Sequence, residues 1–188
     1  ASKKAIQRIN HHTFKLGEAE NLLEGTISVT QKGAGFVTVE GYEKDIYISP
    51  SNTGQALNGD RVKVRVFKKG PSRDEGAITQ VTERERVQFV GTIQIRQNDA
   101  LMVPDNARAG IEIKIPTEKL NGALQGEKAL VKITVWPQSS NKPYGEVLVR
   151  LGKSGNNETE MLSILYNQGI NPVFPEAVMH EAEQVGLE

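Results

Sequence analysis

The 188-residue sequence contains no cysteine, which excludes disulfide staples, thiolate metal sites and a thiol nucleophile. That absence fits a reducing compartment, and a cytoplasmic location is the expectation. No apolar run approaches the roughly 20 residues that span a bilayer, and the opening ASKKAIQRIN lacks the apolar core of a signal peptide, so no membrane partner is expected. Phosphate-binding P-loop spacing is missing, and the serines have no His and Asp arranged for nucleophilic catalysis. Aromatic residues make up only 5% of the chain, and net charge is absent too, with 23 Lys and Arg against 23 Asp and Glu.

What is present is unevenly spread. Residues 1–90 carry 14 basic and 11 acidic side chains, residues 91–188 carry 9 and 12, and the halves therefore differ in sign. Arg61, Lys63, Arg65, Lys68, Lys69 and Arg73 fall within thirteen residues that include no acid, a patch able to attract phosphates or simply to face solvent. From Gly155 onward there are six Glu and no Lys or Arg, so that end is not expected to touch nucleic acid.

An internal repeat organises the chain. Gly25-Thr26-Ile27-Ser28-Val29 recurs as Gly91-Thr92-Ile93-Gln94-Ile95. The same offset sets Phe36 on Met102 and Val37 on Val103; after one inserted residue Ile46 and Ile48 fall on Ile113 and Ile115. Ala56-Leu57-Asn58-Gly59-Asp60 then falls on Ala123-Leu124-Gln125-Gly126-Glu127. Two copies of about 65 residues fit a tandem pair of small domains better than a solenoid.

Within each copy the apolar residues alternate with polar ones, as at Val37 and Val39, Ile46 and Ile48, or Val62, Val64 and Val66. That period of two predicts half-buried strands, and five short strands without a helix predict a closed or nearly closed barrel. With the valines inward, Arg61, Lys63 and Arg65 share the outer face of one strand. After the second copy the period changes. Asn156 with early acids, then Met161, Leu162, Leu165 and Tyr166, predicts a helix that Gly169 ends; a second helix is predicted from Pro175 to Gly186.

The chemistry is concentrated in the first copy. Lys32-Gly33-Ala34-Gly35-Phe36-Val37 and Asp45-Ile46-Tyr47-Ile48-Ser49-Pro50 fall on adjacent strands. Parity puts Phe36 and Tyr47 opposite the core-facing Val37 and Ile46. Two π faces side by side on a sheet surface stack unpaired bases, at about 1 to 3 kcal/mol each. The two glycines are expected to keep this surface low, with Lys32 where a phosphate would pass. The alternative makes them hairpin glycines and Phe36 a core residue. At the corresponding places the second copy offers Asn98, Met102 and Lys114, which predicts no stacking pair there. His11-His12 have no metal-ligand partners in the pattern, and Trp136 before Pro137 reads as packing at a strand end.

KGAGFV with DIYISP resembles the paired ribonucleoprotein motifs of the cold-shock domain, an OB-type barrel that binds single-stranded nucleic acid. The chain departs from that pattern in having Ala34 where the family usually has an aromatic and Ser49 where it often has His. Leu57 to Val66 (LNGDRVKVRV), Trp136-Pro137, Pro143 to Val147, Leu151-Gly152 and Glu160 to Ala182 follow in an order similar to the tandem cold-shock region of the ribonuclease II family of 3′-to-5′ exoribonucleases, in its ribonuclease R branch. The resemblance implies a mainly β chain of two five-stranded OB-fold barrels followed by a short helical segment. Its boundaries are a flexible leader over 1–24, barrels over 25–86 and 87–152, and the helical segment over 153–188.

It further implies that single-stranded RNA is bound by Lys32, Phe36, Tyr47, Arg61, Lys63 and Arg65. The RNA would be guided to a catalytic domain of the same polypeptide, where divalent metal such as magnesium is expected. The five Asp residues here (45, 60, 74, 99 and 105) are scattered and suggest no two-metal site, so this chain is expected to hold no cofactor or metal and not to cleave RNA. A free-standing tandem cold-shock protein acting as RNA chaperone or translation regulator is the alternative. A protein-interaction module using Phe36 and Tyr47 is a third.

Overall fold

The computed structural model describes residues 6–10, 13–16, 22–97, 99–106, 110–137, 140 and 142–172, the first two stretches for their backbone alone. His11-His12, Asn98 and the helix predicted from Pro175 lie outside the described residues. Before the first barrel, β1 (Ile6–Asn10) and β2 (Thr13–Leu16) pair antiparallel, a hairpin that the polar composition did not predict.

The first barrel consists of β3 (Leu22–Val29), β4 (Gly35–Thr38), β5 (Ile46–Ile48), β6 (Arg61–Lys68) and β7 (Asp74–Glu83), closed in the order β3-β4-β5-β7-β6. Alternation builds its core. Ile27 stands opposite Val37, which stands opposite Ile46, and all three are fully buried, as are Ile48, Val62 and Val64. Each such side chain stabilises the fold by about 1.5 to 3 kcal/mol through water exclusion. A parallel β5–β7 pairing of three residue pairs closes the cylinder.

The second barrel repeats the plan with β8 (Gln88–Ile95), β9 (Ala100–Pro104), β10 (Ile113–Ile115), β11 (Glu127–Val135) and β12 (Tyr144–Lys153). Its inner row is Ile93, Met102 and Ile113, all fully buried. Here the closing parallel pair is a single one, Lys114 with Tyr144, reinforced by the Lys114 N–H donating to the Pro143 carbonyl at 2.8 Å.

The repeated glycines have a shared steric cause. A Cβ on Gly25 would meet the Thr38 carbonyl oxygen at 2.3 Å, and one on Gly91 the Val103 carbonyl oxygen at 2.2 Å, so neither first strand can cross its neighbour with a larger residue. The acids of the two LNGD-like turns also repeat. Asp60 is fully buried, accepts from the Leu57 N–H at 2.7 Å and pairs with Arg84 at 2.6 Å; Glu127 accepts from the Leu124 N–H at 2.9 Å and pairs with Arg150 at 3.0 Å. Burial lowers the Arg84 pKa, and the Asp60 carboxylate partly offsets that.

Helix α1 (Asn157–Asn167) begins where the cap residues require, with the Asn156 side chain accepting from the Glu158 N–H at 2.9 Å, and Gly169 beyond its end has φ 77°. It packs Leu162 and Tyr166 onto Val90, Leu130 and Leu151 of the second barrel. Lys128 of β11 fastens it, bonded to Glu160 of α1 at 2.5 Å and to Asp105 at 2.9 Å. Burial opposes the Lys128 charge, yet the two carboxylates outweigh it and hold that pKa above the usual lysine value. Among the described residues no helix is long and apolar enough to cross a membrane.

Candidate nucleic-acid interface

Strand pairing sets Phe36 of β4 directly opposite Tyr47 of β5 on the outside of the first barrel, both half-buried. Their ring centroids are 5.6 Å apart at an interplanar angle of 60°, so the two faces are edge-to-face rather than coplanar. The rings are side by side on adjacent strands, as expected, and bases stacking on both must follow a turn in the surface. Arg73, just before β7, holds its guanidinium 4.4 Å from the Tyr47 centroid. Sequence parity placed the rings but missed Arg73 as their neighbour, because only barrel closure brings β7 beside β5.

The glycines of the motif have structural jobs. Gly33 takes φ 81° in the β3–β4 turn, which favours a residue without Cβ. Gly35 is buried, and a Cβ there would meet Ile27 Cδ1 at 2.8 Å, so it accommodates the core instead of lowering the surface. Lys32 is exposed in that same turn, which is pinned by the Thr30 N–H donating to Ala34 O at 2.8 Å.

The β6 cations form a separate line. Arg61 and Arg65 are exposed and Lys63 half-buried, all on the face opposite the core valines. Register places Arg61 opposite Thr26 and Arg65 opposite Leu22, whereas Phe36 stands opposite Ser28. With strands about 4.8 Å apart and about 3.4 Å per residue, Arg61 is roughly 12 Å from Phe36 across β3, and because the barrel closes Arg65 is about as far from Tyr47 across β7. Arg61 also pairs with Glu24 at 3.2 Å, which spends part of its charge. The cation against a ring is Arg73; Lys68 of β6 lies in the Tyr47 row beyond Glu75, with which it pairs at 2.8 Å. Small polar Ser28 and Thr26 separate the rings from the β6 line.

At the barrel's edge Tyr42 donates a hydrogen bond to Asp74. That bond, then the Gly70 N–H and nearby Lys44 and Lys69, hold the Asp74 carboxyl below the ordinary range, and the same bond raises Tyr42.

The second barrel corrects the equivalence read from the offset. Val29 pairs with Gly35 across the first turn, but Ile95 pairs with Ala100, so the second turn is one residue shorter. Met102 is therefore the counterpart of inward Val37, and Leu101 that of Phe36; a one-residue slip exchanges the two faces of a strand. Leu101 stands opposite Lys114 and is buried. Trp136, after β11, is half-buried. Among the described residues no three His, Asp or Glu side chains gather as a metal site requires.

Residues 25–81 match the family described as the Ribonuclease B OB domain, and residues 102–175 match the Cold shock domain. Ribonuclease R of Escherichia coli (strain K12) is 29% identical over 177 residues, which cover 93% of this chain and 21% of the relative. Ribonuclease R of Chlamydia trachomatis serovar D is 32% identical over 186 residues, covering 93% of this chain and 27% of the relative. The chain is a ribonuclease R-like OB and cold-shock region. It spans about a fifth to a quarter of the length of these ribonuclease R relatives. Its fold is shared with Mycoplasma genitalium RNase R, solved in complex with ribose-methylated single-stranded RNA, at a TM-score of 0.74, 20% identity and coverage of 86% of this chain and 26% of that one. The yeast pseudonuclease Ssd1 shares it at a TM-score of 0.67 and 21% identity, with coverage of 79% and 25%.

Proposed function

We propose that this chain is the single-stranded RNA-binding region of a ribonuclease R-like 3′-to-5′ exoribonuclease, and that it guides RNA toward a catalytic domain of the same polypeptide. The observation that carries this is the register-matched Phe36–Tyr47 pair on the outer face of barrel one, with Arg73 over one ring. A strand stacks bases on the two rings, has its backbone met by Lys32 and Arg73, and passes over Ser28 and Thr26 to Arg61, Lys63 and Arg65. A duplex hides the base faces that the rings need, so single strands are preferred. The parent protein is then a hydrolytic exoribonuclease using divalent metal in its catalytic domain, and this region does not itself cleave RNA. The resemblance of the chain to relatives four to five times longer supports that division.

The test is fluorescence anisotropy of a labelled single-stranded RNA beside a matched duplex, at several salt concentrations. Single-strand binding that weakens with salt is expected, with Arg73→Ala removing roughly 0.7 from the slope of log affinity on log salt. Equal affinity for the duplex, or no binding at low salt, would overturn the proposal.

A further inference from the structure

The outer faces of the two barrels correspond residue by residue. In barrel one the row that crosses the strands is Ser28, Phe36, Tyr47, Glu75 and Lys68. In barrel two it is Gln94, Leu101, Lys114, Tyr144 and Val135. The central aromatic of the first row is a cation in the second, and the acid of the first row is an aromatic. A ring on the outer row with a cation beside it thus occurs in both barrels, displaced by one strand. Tyr144 is 39% exposed, with the Lys114 ammonium 5.8 Å from its centroid, and the neighbouring Val135 is 53% exposed. The loss of Phe36 and Tyr47 equivalents therefore does not leave this face without a ring.

We infer that barrel two carries a stacking site of its own, in which one nucleobase of a single-stranded RNA lies on Tyr144 and Lys114 meets its phosphate. The inference rests on the RNA-binding reading above. The exposed ring offers a π face to any base, so the site has little sequence preference. Val135 extends its apolar floor, and Lys114 supplies the charge. A ring that served solely to brace β10 against β12 would need no exposed face.

The experiment uses the whole chain and a labelled single-stranded oligouridylate. Tyr144→Leu keeps apolar bulk and removes the π face; it should weaken binding about 5- to 100-fold. Tyr144→Phe keeps the face and should stay within about twofold of the parent. Thermal melting checks that each variant is folded. Should Tyr144→Leu fail to fold, photo-crosslinking of the unmodified chain to an oligonucleotide carrying 5-iodouracil decides, with the peptide that contains Tyr144 labelled as the expected result. If the parent binds and loses affinity on Phe36→Ala while Tyr144→Leu binds normally, or if crosslinks are confined to barrel one, this inference falls alone and Tyr144 is a brace or a protein contact. If the parent binds no RNA, the reading beneath it falls as well.

Discussion

Barrel one and barrel two share strand order, steric glycines and an acid in the same turn, yet they differ where they meet solvent. The first shows an aromatic pair with a cation against one ring; the second shows a buried leucine, a lysine and a displaced tyrosine. Core positions are held by close packing, which feels a single methylene, while the outer row is free to change chemistry without moving the strands. Duplication of the scaffold thus does not duplicate the surface.

The comparison is sharpened most by the turn acids. Asp60→Ala removes the fully buried carboxylate that pairs with half-buried Arg84 and accepts from the Leu57 and Glu85 N–H groups, and should destabilise barrel one by about 4 kcal/mol. Glu127→Ala, whose partner Arg150 is largely solvated, should cost barrel two about 1.5 kcal/mol. Trp136, the sole tryptophan, reports on barrel two in urea unfolding, and circular dichroism reports on both. A Trp136 transition that shifts as far with Asp60→Ala as the dichroism does would break the assignment.

A second contrast separates core from interface. Met102→Ala empties a fully buried site and should lower stability by about 3 kcal/mol, with the RNA affinity of the folded protein unchanged. Phe36→Ala should do the reverse, weakening RNA binding by about 1 to 3 kcal/mol with a smaller loss of stability. Equal effects of the two on binding would show that the register correction at Met102 has no functional meaning.

The smallest effect concerns the helix docked on barrel two. Lys128, then the Gly155 N–H, hold the Glu160 carboxyl below its ordinary pKa. Its stabilisation is complete above the unfolded carboxylate value near 4.3 and is lost as pH falls through the lowered folded value. Protection of the α1 amides relative to their intrinsic exchange rate should therefore fall below about pH 4, and Glu160→Gln should blunt that acid response. An identical acid response in the variant would place the sensitivity elsewhere.

Much of this was legible in the sequence because it is local. Alternation at Val62, Val64 and Val66 fixed which face of β6 carries cations, and Asn156 with Gly169 marked the ends of α1. Parity alone turned Phe36 and Tyr47 outward. Features that depend on closure were not legible. Arg73 reaches Tyr47 because β5 and β7 run side by side, and the same closure sets Arg65 of β6 two strands from Tyr47. Nor does a constant offset between repeats reveal a turn shortened by one residue, since the apolar residues on both sides of the slip, Leu101, Met102 and Val103, look alike. Gly35 was misjudged for a similar reason: a glycine carries no mark of which way its missing side chain would have pointed.

The single residue pair that closes barrel two has a dynamic consequence. Three pairs close barrel one, so the seam between β10 and β12 is the shorter zipper, and short zippers open locally at less free energy than global unfolding demands. Lys114 and Tyr144 are the two residues of that one pair. A base laid across them would act as a rivet, coupling occupancy of the outer face to how often the barrel breathes.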